Sequence, residues 1–153
     1  MNYKLSDWAS IAEIIAAIGV IVTLVFLILG IRENTEITKA AAFDRNMESL
    51  NVFRVDLARD PEFTRLWQSR QDPGVLSEDD QFRLIMLEGS LWGIYEKSYY
   101  ARQYELIGES EWSRFETQMC FQLDSMSSQT WYEMRQVLTS QFISYAEGLC
   151  GKQ

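Results

Sequence analysis

The sequence contains no histidine. Both the commonest general base and the commonest metal ligand are therefore missing. Cysteine is nearly as scarce. Cys120 and Cys150 stand far apart with no C-x-x-C spacing, so neither a thiol metal site nor a thioredoxin-like pair is expected. Two buried free thiols are the simple reading, and a disulfide would fit only on the oxidising side of a membrane. Only 2 Pro and 8 Gly interrupt 153 residues, which favours long unbroken elements. Positive charge is also short: 14 Lys and Arg face 22 Asp and Glu, for a net −8. A surface of that sign repels phosphate backbones, so nucleic acid is not an expected partner. No Gly-rich phosphate loop, G-x-S-x-G elbow or Ser/Lys dyad occurs. Aromatic residues are abundant at 13%, far too many for a disordered tail.

The most informative stretch is Ile14 to Ile31, IIAAIGVIVTLVFLILGI, which carries no charge. As a helix it rises about 27 Å, close to the thickness of a hydrocarbon core. Trp8 is placed for the headgroup level. Ser10 and Glu13 read as a capping box, with Ser6 or Asp7 as starts one turn earlier. Arg32, Glu33 and Asn34 close the apolar run. A cleaved signal peptide fits poorly, because the core is long, Asp7 and Glu13 interrupt the leader and no A-x-A site follows. We therefore expect a transmembrane helix in a 1–31 segment, with the lipid bilayer as its first partner. Orientation follows nearby basic residues. Lys4 and the amino terminus lie on one side; Arg32, Lys39, Arg45 and, farther on, Arg54 lie on the other. The balance predicts a single-pass protein with a cytoplasmic C-terminal domain.

One stripe of this helix is small. Ala9, Ala12, Ala16, Gly19, Thr23, Phe26 and Gly30 alternate in spacings of three and four, and all but Phe26 are small. Small residues let helices approach closely in lipid, where hydrophobicity alone cannot drive association. The expected partner is a second copy of the chain or a larger membrane protein. Glu13 is a helix cap at the interface, or an acidic pore mouth above Gly19 and Thr23 in a ring of copies.

Beyond the span, residues 32–153 read as all-α. No Pro or Gly occurs from Arg32 to Arg59, and Ala40, Phe43, Met47, Leu50 and Leu57 follow helical spacing. The span is thus expected to run on as one rod of about fifty residues, roughly 75 Å long. Asp60-Pro61-Glu62 starts a short helix carrying Phe63, Leu66 and Trp67, which stops at the turn Gln71-Asp72-Pro73-Gly74. Ser77 caps a long helix expected to reach Ile107, with Phe82, Leu84, Leu91, Trp92 and Tyr95 turned inward and Gly108 as its stop. Ser110 is expected to cap a helix through Leu123 with Trp112, Phe115, Met119 and Cys120 inside. After the Ser125–Ser128 break, a last helix to Glu147 presents Trp131, Met134, Val137, Leu138, Phe142 and Tyr145. The expected architecture is a four-to-five-helix bundle over about 60–148.

Glu88, Trp92, Tyr95 and Tyr99 share one helical face at spacings of four, three and four, and Glu96 lies beside them. A carboxylate among aromatic rings has a raised pKa and can serve as an acid or base. The simpler reading is a buried acid accepting tyrosine hydroxyls. A di-metal carboxylate centre would need Glu-x-x-His pairs, which a histidine-free chain lacks. No cofactor is expected.

The order of Ile31-Arg32-Glu33-Asn34-Thr35, Ala40-Ala41-Ala42, Asp60-Pro61-Glu62-Phe63, Leu66-Trp67, Leu76-Ser77-Glu78-Asp79, Tyr95-Glu96, Tyr99 and Glu111-Trp112 resembles a group of small bacterial single-span membrane proteins. The likeness covers nearly the whole chain. It implies a bacterial inner-membrane setting and supplies no activity. The leading expectation is a non-enzymatic, membrane-anchored accessory or scaffold subunit. A homo-oligomeric pore lined by the N-terminal helix is one alternative, and a membrane-bound enzyme using Glu88 or Glu96 is another.

Overall fold

The computed structural model describes residues 5–151. Lys4 and the amino terminus, which entered the orientation argument, lie outside them. The described residues are mostly helical, with no strand among them. The order is α1 (Leu5–Arg59), α2 (Pro61–Gln68), α3 (Glu78–Gln103), α4 (Glu109–Asp124), α5 (Ser128–Met134) and α6 (Ser140–Leu149). Short 3-10 turns follow α2 and α5. The chain divides into two compact units, Met1–Thr38 and Lys39–Gln153. Both receive part of α1.

Helix α1 already includes Leu5, so Ser10 and Glu13 lie within it rather than at its cap. In the first unit every described side chain is exposed. The apolar stretch has a mean hydropathy of 3.1 and is long and apolar enough to cross a membrane. In the second unit α1 becomes amphipathic. Phe43, Asn46, Met47, Leu50, Phe53 and Leu57 form its inner stripe, whereas Ala40 is exposed. The helix ends where proline forbids it to continue. Asp60 takes an extended conformation (φ −97°, ψ 110°), as a residue before proline prefers. Its carboxylate then accepts the backbone N–H groups of Glu62 (2.8 Å) and Phe63 (3.3 Å), the free donors of a new helix start.

Helix α3 is the element against which the others pack: α2, α4 and α5 all contact it, and α6 packs on α4. Ser77 caps it by accepting from Asp80 N at 3.2 Å. The main core joins Leu91, Trp92, Tyr95 and Tyr99 of α3 to Leu50, Trp112, Phe115, Met119, Trp131, Met134 and Phe142. Each such side chain stabilises the fold by about 1.5–3 kcal/mol when fully buried. A second cluster joins Leu66, Leu76 and Leu84.

Three boundaries differ from the sequence expectation. Helix α3 stops at Gln103, four residues before Ile107, in a Schellman motif without glycine. Leu106 N donates to Ala101 O (2.9 Å) and Glu105 N to Arg102 O (3.0 Å), with Glu105 in the left-handed region at φ 57°. Gly108, not Ser110, then occupies the N-cap of α4; the Ser110 hydroxyl donates to Glu111 Oε2 at 2.8 Å. The last helix is two, broken at Leu138, with Thr139 as the N-cap of α6. Two inward assignments also fail: Val137 is 65% and Phe82 is 64% exposed.

The two cysteines are joined, not free. Cys120 of α4 and Cys150, the C-cap of α6, form a disulfide with their Cα atoms 5.2 Å apart. Inner-face packing of α4 against α6 brings the thirty-residue separation to bonding distance, which spacing alone does not reveal.

The exposed Glu105 is held in a conformation that costs a non-glycine residue about 1–2 kcal/mol. Glu105→Gly is expected to stabilise the domain by about 0.5–1 kcal/mol net of the freedom that glycine gains when unfolded. Chemical denaturation followed by tryptophan fluorescence measures this; a midpoint at or below that of the parent contradicts it.

Candidate functional site

The acid and aromatic residues singled out on α3 divide into two places. Glu96 reaches α6: its Oε1 accepts both the backbone N–H and the hydroxyl of Thr139, each at 2.7 Å. The Tyr100 hydroxyl completes the group at 2.9 Å from Thr139 Oγ1. Glu96 is thus a borrowed cap, satisfying a free donor at the first turn of α6 where Thr139 makes no side-chain cap of its own. Tyr99 lies among rings, with centroids 4.8 Å from Tyr145 and 5.6 Å from Phe142. Next to it, Trp112 Nε1 donates to Tyr145 Oη (2.9 Å), which in turn donates to Glu116 (2.5 Å). Burial and this carboxylate push the Tyr145 hydroxyl up to about 12.

Glu88 sits elsewhere, fully buried, and neither carboxylate oxygen has a hydrogen-bond partner among the described residues. Other buried polar atoms also lack a hydrogen-bond partner among the described residues: Arg70 Nη1, Trp92 Nε1, Asn46 Oδ1 and Gln122 Oε1. Burial pushes the Glu88 carboxyl up to about 7, against the pull of the Arg70 charge. Burial also pushes the Tyr95 hydroxyl up to about 12. The Arg70 guanidinium is pushed down by burial and supported by Glu88 and Tyr95.

Arg70 is the residue that sequence reasoning passed over. It precedes the Asp72-Pro73-Gly74 turn and looks like a loop cation, yet it is only 9% exposed. Its Nε and Nη2 donate to the Ser125 carbonyl (3.0 Å) and hydroxyl (2.5 Å), while its own carbonyl accepts from Ser127 N at 3.0 Å. Its guanidinium lies 4.2 Å from the Trp67 ring centroid. The spacing of Trp67 and Arg70, one helical turn apart, was the available signal. Asn46 was legible too, lying between Phe43 and Leu50 on the inner stripe of α1.

A separate feature lies on the outer side of α3. The end of α1, α2 and the first half of α3 enclose an apolar trough of about 590 Å³. Leu66 and Leu87 form its base, and Phe63, Phe82 and Met86 its open wall. Glu88 does not line it.

In α1, Ala12, Glu13, Ala16, Gly19, Thr23 and Gly30 are all exposed. A side chain placed on Gly19 or Gly30 would meet nothing within 4 Å. The Thr23 hydroxyl donates to Gly19 O at 2.9 Å, within its own helix. No family model, curated protein or solved structure matches the chain.

The raised pKa of Glu88 has a definite sign. The fold favours the neutral acid, so stability is greatest below the ordinary carboxylate range and is lost as pH rises from about 4.5 to about 7. Glu88→Gln is expected to match the parent near pH 4 and to be more stable by about 3 kcal/mol at pH 8. Urea titrations of both proteins across that range decide it; parallel stability profiles would remove the buried ionisable acid from the account.

Proposed function

We propose that this protein is a membrane-anchored, non-catalytic helical subunit that assembles through its N-terminal helix, with itself or with a larger membrane protein. One observation carries the reading. Every residue of the uncharged apolar run from Ile14 to Ile31 is exposed. Lipid is the natural solvent for such a surface. Among the described residues nothing lies within 4 Å of where a side chain on Gly19 or Gly30 would stand, leaving that backbone open to a neighbouring helix. The resemblance to small bacterial single-span proteins supports an inner-membrane setting. The α3 acids give no support to an enzyme: Glu88 is sealed in the core and Glu96 is occupied as a cap.

For the side of the membrane, two signals oppose each other. The basic residues Arg32, Lys39 and Arg45 favour a cytoplasmic domain. The Cys120–Cys150 disulfide favours the oxidising face, because cytosolic reductants keep thiols free. The basic margin is narrow, and we infer that the helical domain lies outside the cytoplasm.

Gly19→Leu is expected to reduce the cross-linked oligomer of the full-length chain in membranes several-fold; an unchanged ladder would count against assembly through this stripe. Topology is tested by a membrane-impermeant maleimide on intact spheroplasts. Labelling of Cys120 and Cys150 only after reduction is the expected result, and labelling without reductant in inverted vesicles alone would return the domain to the cytoplasm.

A further inference from the structure

The trough between α1, α2 and α3 has a chemical asymmetry that points to an occupant. Its lining is apolar and open: Val52 is 54%, Phe82 64% and Met86 45% exposed. A shallower recess adjoins it on the α1 side and shares Val52 and Asp56 with it. Asp44, Glu48 and Asp56 line that recess, with Arg59 as the cation at its end. Among the described residues no ion pair or hydrogen bond engages these three carboxylates, whereas Glu62 and Asp80 on the other side are both taken by Arg65, at 2.6 and 2.8 Å. An apolar channel thus runs beside a ledge of unneutralised acids.

We propose that this surface receives an amphipathic helix of a partner protein, its apolar face in the trough and a flank of Lys or Arg over Asp44, Glu48 and Asp56. Residues at i, i+3, i+4 and i+7 of such a helix would meet the apolar wall, as in other helix-in-groove interfaces. The unpaired acids would steer and orient the basic flank. A second copy of this chain is the poorer occupant, because a chain with 14 basic against 22 acidic side chains has no excess of Lys or Arg to set over the acidic ledge. A small apolar ligand would leave the acidic ledge unused. The proposal deepens the docking part of the function proposed above and rests on it, but it does not depend on the span stripe.

Two measurements on the full-length protein test it. In detergent micelles, a fluorescent eighteen-residue Leu/Lys amphipathic peptide should bind at least tenfold more tightly than its Leu/Glu counterpart. Met86→Glu should weaken that binding at least tenfold, and so should the joint change Asp44→Lys, Glu48→Lys, Asp56→Lys. All these positions lie on the surface, and an unchanged far-ultraviolet spectrum confirms that the variants fold. Equal binding of the two peptides, or binding indifferent to the substitutions, overturns the proposal. In the native membrane, a photo-cross-linker at position 86 should capture a protein segment that mass spectrometry reads as a basic amphipathic helix. A cross-linker at Tyr104, the C-cap of α3 about 27 Å away along the helix axis, should not capture it. Capture of lipid, of a second copy or of an acidic segment, or no product above that of position 104, also overturns it. Gly19→Leu reports separately: loss of the oligomer with peptide binding intact assigns the failure to the span, and the converse assigns it to the trough.

Discussion

The constraint on which the helical domain depends is the burial of α3 from several sides at once. Trp92 and Tyr95 are almost wholly removed from solvent, and Trp92 meets Trp131 at 4.8 Å and Phe142 at 6.2 Å between ring centroids. Tilted and edge-on ring pairs of this kind contribute about 0.5–1.5 kcal/mol each beyond their buried area. Helices α5 and α6 are only 7 and 10 residues long, far below the length at which a helix stands alone in water. They persist because each lends an aromatic side chain to this centre. Their geometry is a result of packing rather than of propensity.

The same packing explains how the domain can hold Glu88. A carboxyl with neither oxygen bonded is costly in a core, and Arg70 offsets the cost only through its charge, since its hydrogen bonds go mainly to Ser125. The group escapes the full penalty by remaining protonated toward neutral pH. Polar atoms of α1, α3, α4 and the turn after α2 are buried too, so the interior is specified by more than apolar volume. Arg70 meanwhile ties the turn after α2 to the α4–α5 connection, joining segments 55 residues apart in sequence.

Much of the architecture was legible because its signals are local. Proline at position 61 ends one helix and starts the next. Ser77 caps α3, and the apolar spacing of Trp112, Phe115 and Met119 marks the inner face of α4. What escaped reading was set by contacts distant in sequence. The break at Leu138 has no glycine or proline; it is made favourable by Glu96, forty-three residues before Thr139, which supplies the α6 cap. Glycine at 108 points to a stop there, but the left-handed position falls on Glu105, whose side chain gives no sign of it. The thiols looked solitary because helix packing, not spacing, brings them together. At the site level, the Glu88 face was visible as a 4-3-4 pattern, whereas Arg70 was disguised as a loop residue. Glu96 was grouped with Glu88 by sequence proximity, though the helix turns it toward α6.

Helix α6 is fastened at both ends by unlike bonds: hydrogen bonds from Thr139 to Glu96 of α3 at its start, and a covalent bridge from Cys150 to Cys120 of α4 at its finish. In mechanical terms, a load applied at Cys150 passes straight into α4 and bypasses α6. The short helix therefore cannot be unzipped turn by turn from that end. It must be sheared away from α4 as a whole or first severed chemically, so its resistance to force is set by the redox state of its surroundings rather than by its own ten residues.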